Sequence, residues 1–423
     1  MTSDAGEKKR GSIGRYLAVL GPGLITGAAD DDPSGIVTYS IAGAQFGLSM
    51  LWLAPVTFPL MGAVQMMCAR IGMVTGMGLT AALRKNVPRF LLVIMALALF
   101  AANTINVGAD LFGMADVANL LTGIHAAIFV LVFGVAITLA MVWFKYNAIA
   151  STLKWLTISL FAYVITAFMA RPNWSQTAAA TLLPTWPVNH DAWSTVVAIL
   201  GTTISPYLFF WQASQEVEVE KARGQRTSAS RRGADKGELR DRAWDVGTGA
   251  FVSNIIMYFI ILTTALTLHK SGLTHLETSK QAAAALAPLA GKFASILYAV
   301  GLIGVGFLAI PTLAGSSAYV FSETFALRQG LDEKPSRAKA FYGIFVLSIA
   351  FGIALTFTPI KPMDALFLTA VINGVLAPFL MLGILWVACD KVLMLGQTSS
   401  WLARIVVGFT TLAMFFAAAA LFF

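Results

Sequence analysis

Charge is what this sequence has least of. Only 12% of its 423 residues are Asp, Glu, Lys or Arg, while 57% are hydrophobic and the mean hydropathy is +0.75. A soluble domain cannot keep a wetted surface with so few charges, which excludes a soluble globular class. Cysteine is nearly absent: Cys68 and Cys389 match no CxxC or Cys/His ligand spacing, so neither a disulfide framework nor a thiolate metal cluster is expected, and both should pack in the core. The four histidines, His125, His190, His269 and His275, fall at the ends of apolar stretches or between them, which argues against a histidine-based metal or proton site inside a membrane. There is no phosphate loop and no cluster of nucleophile, base and orienting group. "GVGFLAI" lacks the strand and helix context of a dinucleotide fingerprint, so no enzyme and no cofactor are expected. The first 15 residues are polar and lack the apolar core and cleavage site of a signal peptide.

What is present is apolar sequence in repeated lengths. A bilayer core about 30 Å thick needs roughly 20 apolar residues per helix. Such stretches predict an all-α membrane protein of eleven spans, at 16–46, 50–70, 90–112, 124–144, 150–170, 193–215, 247–268, 293–324, 338–358, 364–389 and 399–421. Lys and Arg gather on the cytoplasmic side of membrane proteins. With the N-terminus inside, the outer loops hold only Arg171, Lys270, Lys280, Lys292 and Lys361 of the 29 basic residues, so this topology is strongly favoured. The net charge of +8 is then mainly a topology signal, and nucleic acid is not an expected partner.

The stretch "GPGLITGAADDDPSG", Gly21 to Gly35, puts Asp30, Asp31 and Asp32 inside the first span, followed at once by Pro33. Proline breaks a helix by removing a donor and clashing with the preceding turn. Non-helical backbone in a membrane is tolerated only where protein buries it or a cavity lies beside it. The first span should therefore be two half-helices, with carboxylates and freed carbonyl oxygens at the break. These are the oxygen ligands a hard divalent cation requires. A structural kink would explain Pro33 but not acids that cost roughly 2.5 to 3.5 kcal/mol each on insertion scales. The sixth span, "ILGTTISPYLFFWQASQEVEVE", repeats the device with Gly201, Thr202, Thr203, Ser205 and Pro206, followed by Gln212 and Glu216 at i,i+4. Breaks at matching places in two five-span halves point to an inverted-repeat transporter with its substrate between the halves. The expected organisation is a cytoplasmic tail at 1–15, a first repeat at 16–170, and a second repeat at 193–389 with a basic cytoplasmic loop at about 216–246. An accessory span at 399–421 completes it.

Here the chain resembles the Nramp family of divalent-metal transporters. "GPGLITGAADDDPSG" is similar to that family's first helix, whose hallmark is DPGN, and "ARIGMVTG", Ala69 to Gly76, resembles the end of its second. "AAAALAPLAGKFASILYAVGLIGVGFLAIPTLAGSSAYVFSE" resembles the segment running into and through its eighth helix. Ser205 and Pro206 fall where the family has Met-Pro-His. The resemblance implies the LeuT-type fold, a 5+5 inverted repeat with helices 1 and 6 broken, and alternating access in a prokaryotic plasma membrane. It further implies that Asp32 is the metal-binding carboxylate, that Gly35 stands in place of the family's Asn, and that Ser205 replaces the Met. Thr202, Asp31, Gln212 and Glu216 are further candidate ligands, and Asp110 and Tyr207 a candidate proton path.

The departures have a chemical direction. Loss of the thioether at Ser205 removes the soft ligand that favours Mn²⁺ and Cd²⁺, whereas hydroxyl, carboxylate, carbonyl and water suit Mg²⁺. Small residues at Gly35 and Ser205 are expected to widen the site for a partly hydrated ion. This pattern is similar to the Nramp-related magnesium transporters. Tyr207 stands where proton-coupled members have His, and a phenol with an ordinary pKa of about 10 is a poor relay at neutral pH. Ala370 aligns with the family's tenth-helix Gln, and Asn373, about one turn on, is a possible replacement. The transported substrate expected is Mg²⁺, or Mn²⁺. Alternatives are a carrier of small organic or anionic substrates using the half-helix N-termini near Gly35 and Tyr207, a paralogue that no longer carries metal, and a non-transporting membrane sensor. The chain's end shortly after the last span argues against the sensor. The oligomeric state is open.

Overall fold

The computed structural model describes residues 21–143, 156–185, 189–225, 227–331 and 333–422. The expected tail at 1–15, the start of the first span and residues 150–155 of the fifth lie outside them. Among the described residues the regular structure is all helix, with no strand. Eight helices are long and apolar enough to cross a membrane, two more apolar helices are shorter, and the first span is split in two, which together account for the eleven spans.

The first span consists of α1, Pro22–Asp30, and α2, Pro33–Phe46. Next come α3, Leu53–Thr75, α4, Arg89–Thr122, α5, Ala126–Trp143, and α6, Phe161–Met169. The sixth span is α7, His190–Thr203, and α8, Pro206–Ala222. Then follow α9, Lys236–Thr267, α10, Ala294–Thr324, α11, Lys339–Leu355, α12, Pro362–Cys389, and α13, Trp401–Ala419.

Both breaks are built alike. An extended residue caps each second half-helix, Asp32 at φ −70° and ψ 170° and Ser205 at φ −72° and ψ 128°, and Pro33 or Pro206 follows at the first helical position. There a missing N–H costs nothing, and the fixed φ suits the helix.

Charge proves a poor guide to where helices stop. The basic stretch expected as a loop at about 216–246 is mostly helical, because α8 runs on to Ala222 and α9 begins at Lys236. A capping box of Asp235 with Glu238 starts α9 eleven residues before the expected edge. Cys68 is buried as expected, but Cys389 is exposed, being the last residue of α12.

The broken spans lie at the centre. The apolar stretch of α7 and α8 is 89% buried, against 22% for α5 at the periphery. Small residues allow this packing, as is common where membrane helices meet without a hydrophobic drive between them. A Cβ on Gly27 of α1 would fall 2.6 Å from the Gly249 carbonyl oxygen of α9, and one on Gly201 of α7 would meet the Ala370 carbonyl and the Gly374 backbone of α12. We expect Gly201→Val to lower the yield of monodisperse protein in detergent several-fold by forcing α7 off α12, as size-exclusion chromatography would report. An unchanged elution profile and yield would refute this close packing.

Candidate metal site

The two breaks meet through Asp32. Its Oδ1 accepts from the Ser34 hydroxyl and the Gly35 amide, each at 2.7 Å, and Thr202 Oγ1 of α7 stands 3.5 Å away, at the limit of a hydrogen bond. Among the described residues its Oδ2 accepts only Asn106 Nδ2 of α4, at 3.1 Å, which leaves lone-pair capacity for a cation. Asp32 therefore does two jobs: it caps α2, and it keeps a carboxylate oxygen with acceptor capacity to spare beside the second break.

The freed carbonyls are partly satisfied by hydroxyls. Ser205 Oγ donates to Thr202 O at 2.6 Å and Gly201 O at 3.0 Å, closing the end of α7. Tyr207 donates to Ala29 O near the end of α1 at 2.9 Å, while its own carbonyl accepts from Ser316 of α10. Asp30 and Asp31 share one hydroxyl, Ser253 of α9, at 2.9 and 3.0 Å, and among the described residues Asp30 Oδ1 has no hydrogen-bond partner. Neither carboxylate oxygen of Asp110 meets one either, although the group stands near the Ser34 amide and within electrostatic range of Asp32.

Asp30, Asp31, Asp32 and Asp110 are all at most 1% exposed. Among the described residues, none of the four pairs with a Lys, Arg or His. Buried carboxylates without a counter-charge either take up protons or attract a cation. No three His, Cys, Asp or Glu side chains among the described residues converge as a protein-only cage. The donor set at the break is one carboxylate oxygen with hydroxyl, amide and carbonyl oxygens, which fits a hard ion that keeps some of its water.

Asp32, Gly35, Thr202 and Ser205 thus come together as expected from the sequence, and Asp31 stands beside them on the Ser253 side. Gln212 and Glu216 do not. Pro206 begins α8 at the break, so Glu216 lies about 15 Å along the helix from it. There Gln212 donates to Glu216 at 2.7 Å and Arg242 of α9 pairs with Glu216 at 2.8 Å. Arg242 also pairs with Asp245, which accepts from the amides of Gly21, Gly23 and Leu24. The two residues belong to a brace holding the start of α1, because the buried Arg242 claims the acid.

The wider site expected at Gly35 is also corrected. A Cβ there would lie 2.9 Å from Thr202 Oγ1 and 3.3 Å from Asp32 Oδ1, so the threonine fills the space the small residue leaves. Asn106 and Ser253 were not singled out from the sequence. The spacing of Asn103, Asn106 and Asp110 on one face of an otherwise apolar helix carried the signal for the first. Asn373 is buried on α12 with its carbonyl oxygen unpartnered, beside the Gly374 that meets α7.

Comparison with known proteins bears on the family and the fold. Residues 23–423 match the family described as Natural resistance-associated macrophage protein-like, Nramp. The chain belongs to the Nramp family. This is a family of multi-pass divalent-metal transporters, not of enzymes. The chain is 25% identical over 364 residues to the divalent metal cation transporter MntH of Yersinia enterocolitica, covering 81% of this chain and 85% of that one. It superposes on the Eremococcus coleocola manganese transporter, crystallised with an aromatic bis-isothiourea compound, with a TM-score of 0.77 at 19% identity, covering 98% and 88% of the two chains. A more distant likeness is to Mhp1, a nucleobase-cation-symport-1 family transporter, in a closed conformation, with a TM-score of 0.52 at 13% identity over 95% and 93%. These likenesses establish the LeuT-type fold.

Because Asn caps helices about as well as Asp, Asp32→Asn separates the two jobs of this residue. We expect the variant to keep its melting temperature within a few degrees and to bind divalent cation at least roughly tenfold more weakly, by calorimetric titration with Mg²⁺ and Mn²⁺. Wild-type affinity in the folded variant would remove Asp32 from the site. Asp32→Ala should in addition lose about 1 kcal/mol of stability with the cap.

Proposed function

We propose that this Nramp protein moves a divalent cation into the cytoplasm by alternating access between the two repeats, that the ion is Mg²⁺ or Mn²⁺ carried partly hydrated, and that no proton is coupled to it. The observation that carries the reading is the group of four buried carboxylates with no basic partner among the described residues, set against an oxygen-only donor group at the breaks. An organic or anionic substrate fits less well. The N-terminus of α2, which would attract an anion, is already occupied by the Asp32 carboxylate. The MntH relative and the crystallised manganese transporter are named for divalent metal and for manganese, which favours the same class of substrate here.

Ser205 in place of a thioether supports preference for a hard ion. An inside-negative potential contributes about 2.3 kcal/mol per charge per 100 mV, and twice that for a divalent ion, so uptake can run without a proton gradient. Tyr207 supports uncoupled transport, since its hydroxyl is engaged with Ala29 O. Asp110, buried beside the Ser34 amide and with no basic partner among the described residues, is the group through which coupling would run if it existed.

The test is uptake into liposomes holding the purified protein, with the potential clamped and a pH dye inside. Electrogenic Mg²⁺ uptake with no acidification of the lumen is expected. Acidification that depends on the metal and disappears in Asp110→Asn would overturn the uncoupled reading.

Selectivity offers a second test shaped by the Thr202 contact. Ser205→Met restores a soft ligand, while Gly35→Asn needs Thr202 out of the way. We expect the triple variant Gly35→Asn, Thr202→Ala, Ser205→Met to shift competition toward Mn²⁺ and Cd²⁺ at least roughly tenfold, and Gly35→Asn alone to impair uptake of every ion. A folded triple variant with unchanged selectivity would sink the softness argument.

A further inference from the structure

α9 has two faces with different neighbours. Arg242, Asp245, Val246, Gly249 and Ser253 are buried against α1 and its acids. On the opposite side of the helix, Arg240, then Ala243 and Trp244, then Gly247 and Thr248, then Phe251 form one face, the i, i+3/i+4, i+7/i+8, i+11 pattern. With Phe58 of α3 they line an open groove of about 480 Å³ on the outside of the bundle. The groove is apolar along its length, with Phe58 and Phe251 in edge contact at 5.7 Å at one end and Arg240 at the other. The small residues make it: a Cβ on Gly247 would meet nothing within 4 Å.

Depth and charge define the occupant. α9 has 32 residues, so at 1.5 Å per residue it runs about 48 Å, longer than a hydrocarbon core of about 30 Å. Its first turns therefore stand at the membrane surface. From Arg240 to Phe251 is about 16 Å along the helix axis, which leads from headgroup depth into the acyl chains. Trp244, 59% exposed, sits between them, where indoles favour the interface. Among the described residues, Arg240 has no ion-pair partner, and Lys236, four residues before it on α9, is exposed on the same face. Of the nearby acids, Glu238 is paired with Arg223, and Asp241 faces the separate cavity shared by Glu216 and Arg242.

We propose that this groove binds one anionic phospholipid, with its phosphate, not neutralised by a headgroup cation, on Arg240 and an acyl chain lying over Gly247 between Trp244 and Phe251. Because the opposite face of the same helical stretch caps and packs α1, an occupied groove stiffens the support of the half-helix that carries Asp30.

Native mass spectrometry of the detergent-purified protein, offered phosphatidylglycerol and phosphatidylcholine with the same chains, tests this independently of transport. One Arg near an anionic surface is worth about a fivefold preference. Wild type should retain the anionic lipid by about that factor, Arg240→Gln should bring the two lipids to parity, and Gly247→Leu, whose side chain enters open space, should retain neither. Parity in wild type would overturn the proposal, as would anionic retention unchanged in both variants. A dimer that dissociates in Gly247→Leu would assign the groove to a second copy of the chain. Should Gly247→Leu fail to elute as monodisperse protein, the shift to parity in Arg240→Gln decides alone.

Discussion

The arrangement depends on one side chain that serves the backbone and the site at once. Asp32 ends the unwound segment of the first span by accepting the Gly35 amide, and the same carboxylate meets Asn106 of α4 and approaches Thr202 of α7. Three separate elements are thereby fixed around a point where a membrane interior should hold no charge. Pro33 and Pro206 make the breaks, but Asp32 and Ser205 decide where the loose ends go. Glycine supplies the closeness: Gly35 allows Thr202 in, Gly27 allows α9 to touch α1, and Gly201 allows α12 to touch α7.

The charge left uncompensated there contrasts with the charge held elsewhere. Glu216, Arg242 and Asp245 are also buried, yet they form a connected brace with the first amides of α1. A buried ion pair of that kind is satisfied within the protein and has no call on an outside ion. Asp30, Asp31, Asp32 and Asp110 lack such partners among the described residues. In a low-dielectric interior the difference is large enough to separate a structural network from carboxylates that must take up a proton or attract a cation.

Much of this could be read from the sequence because its strongest signals are local. Apolar length gave the spans, and a proline beside polar residues in mid-span gave both breaks, as the half-helices at Pro33 and Pro206 bear out. The cost of acids at that depth pointed to the group Asp30 to Asp32, and the resemblance to the DPGN motif singled out Asp32 among them. What could not be read was long-range pairing. Gln212 and Glu216 are polar, near the break and correctly spaced, but their roles are set by Arg242, 26 residues beyond Glu216 on another helix. Ser253 gives no hint of serving Asp30 and Asp31 until α9 is laid against α1. Helix edges failed where charge stood in for a terminator, as at the start of α9, where the capping box at Asp235 and Glu238 is the real signal.

We propose that the cation sits between the two breaks, held by Asp32 and not by the Glu216 brace. Anomalous scattering from crystals grown in Mn²⁺ tests it most directly. The account predicts a peak within metal-ligand distance of Asp32 Oδ2, bordered by oxygen atoms of Thr202 and Ser205, with water completing the shell. A peak at Glu216 with the break empty, or no peak at all in crystals whose protein binds Mn²⁺ in solution, would contradict it.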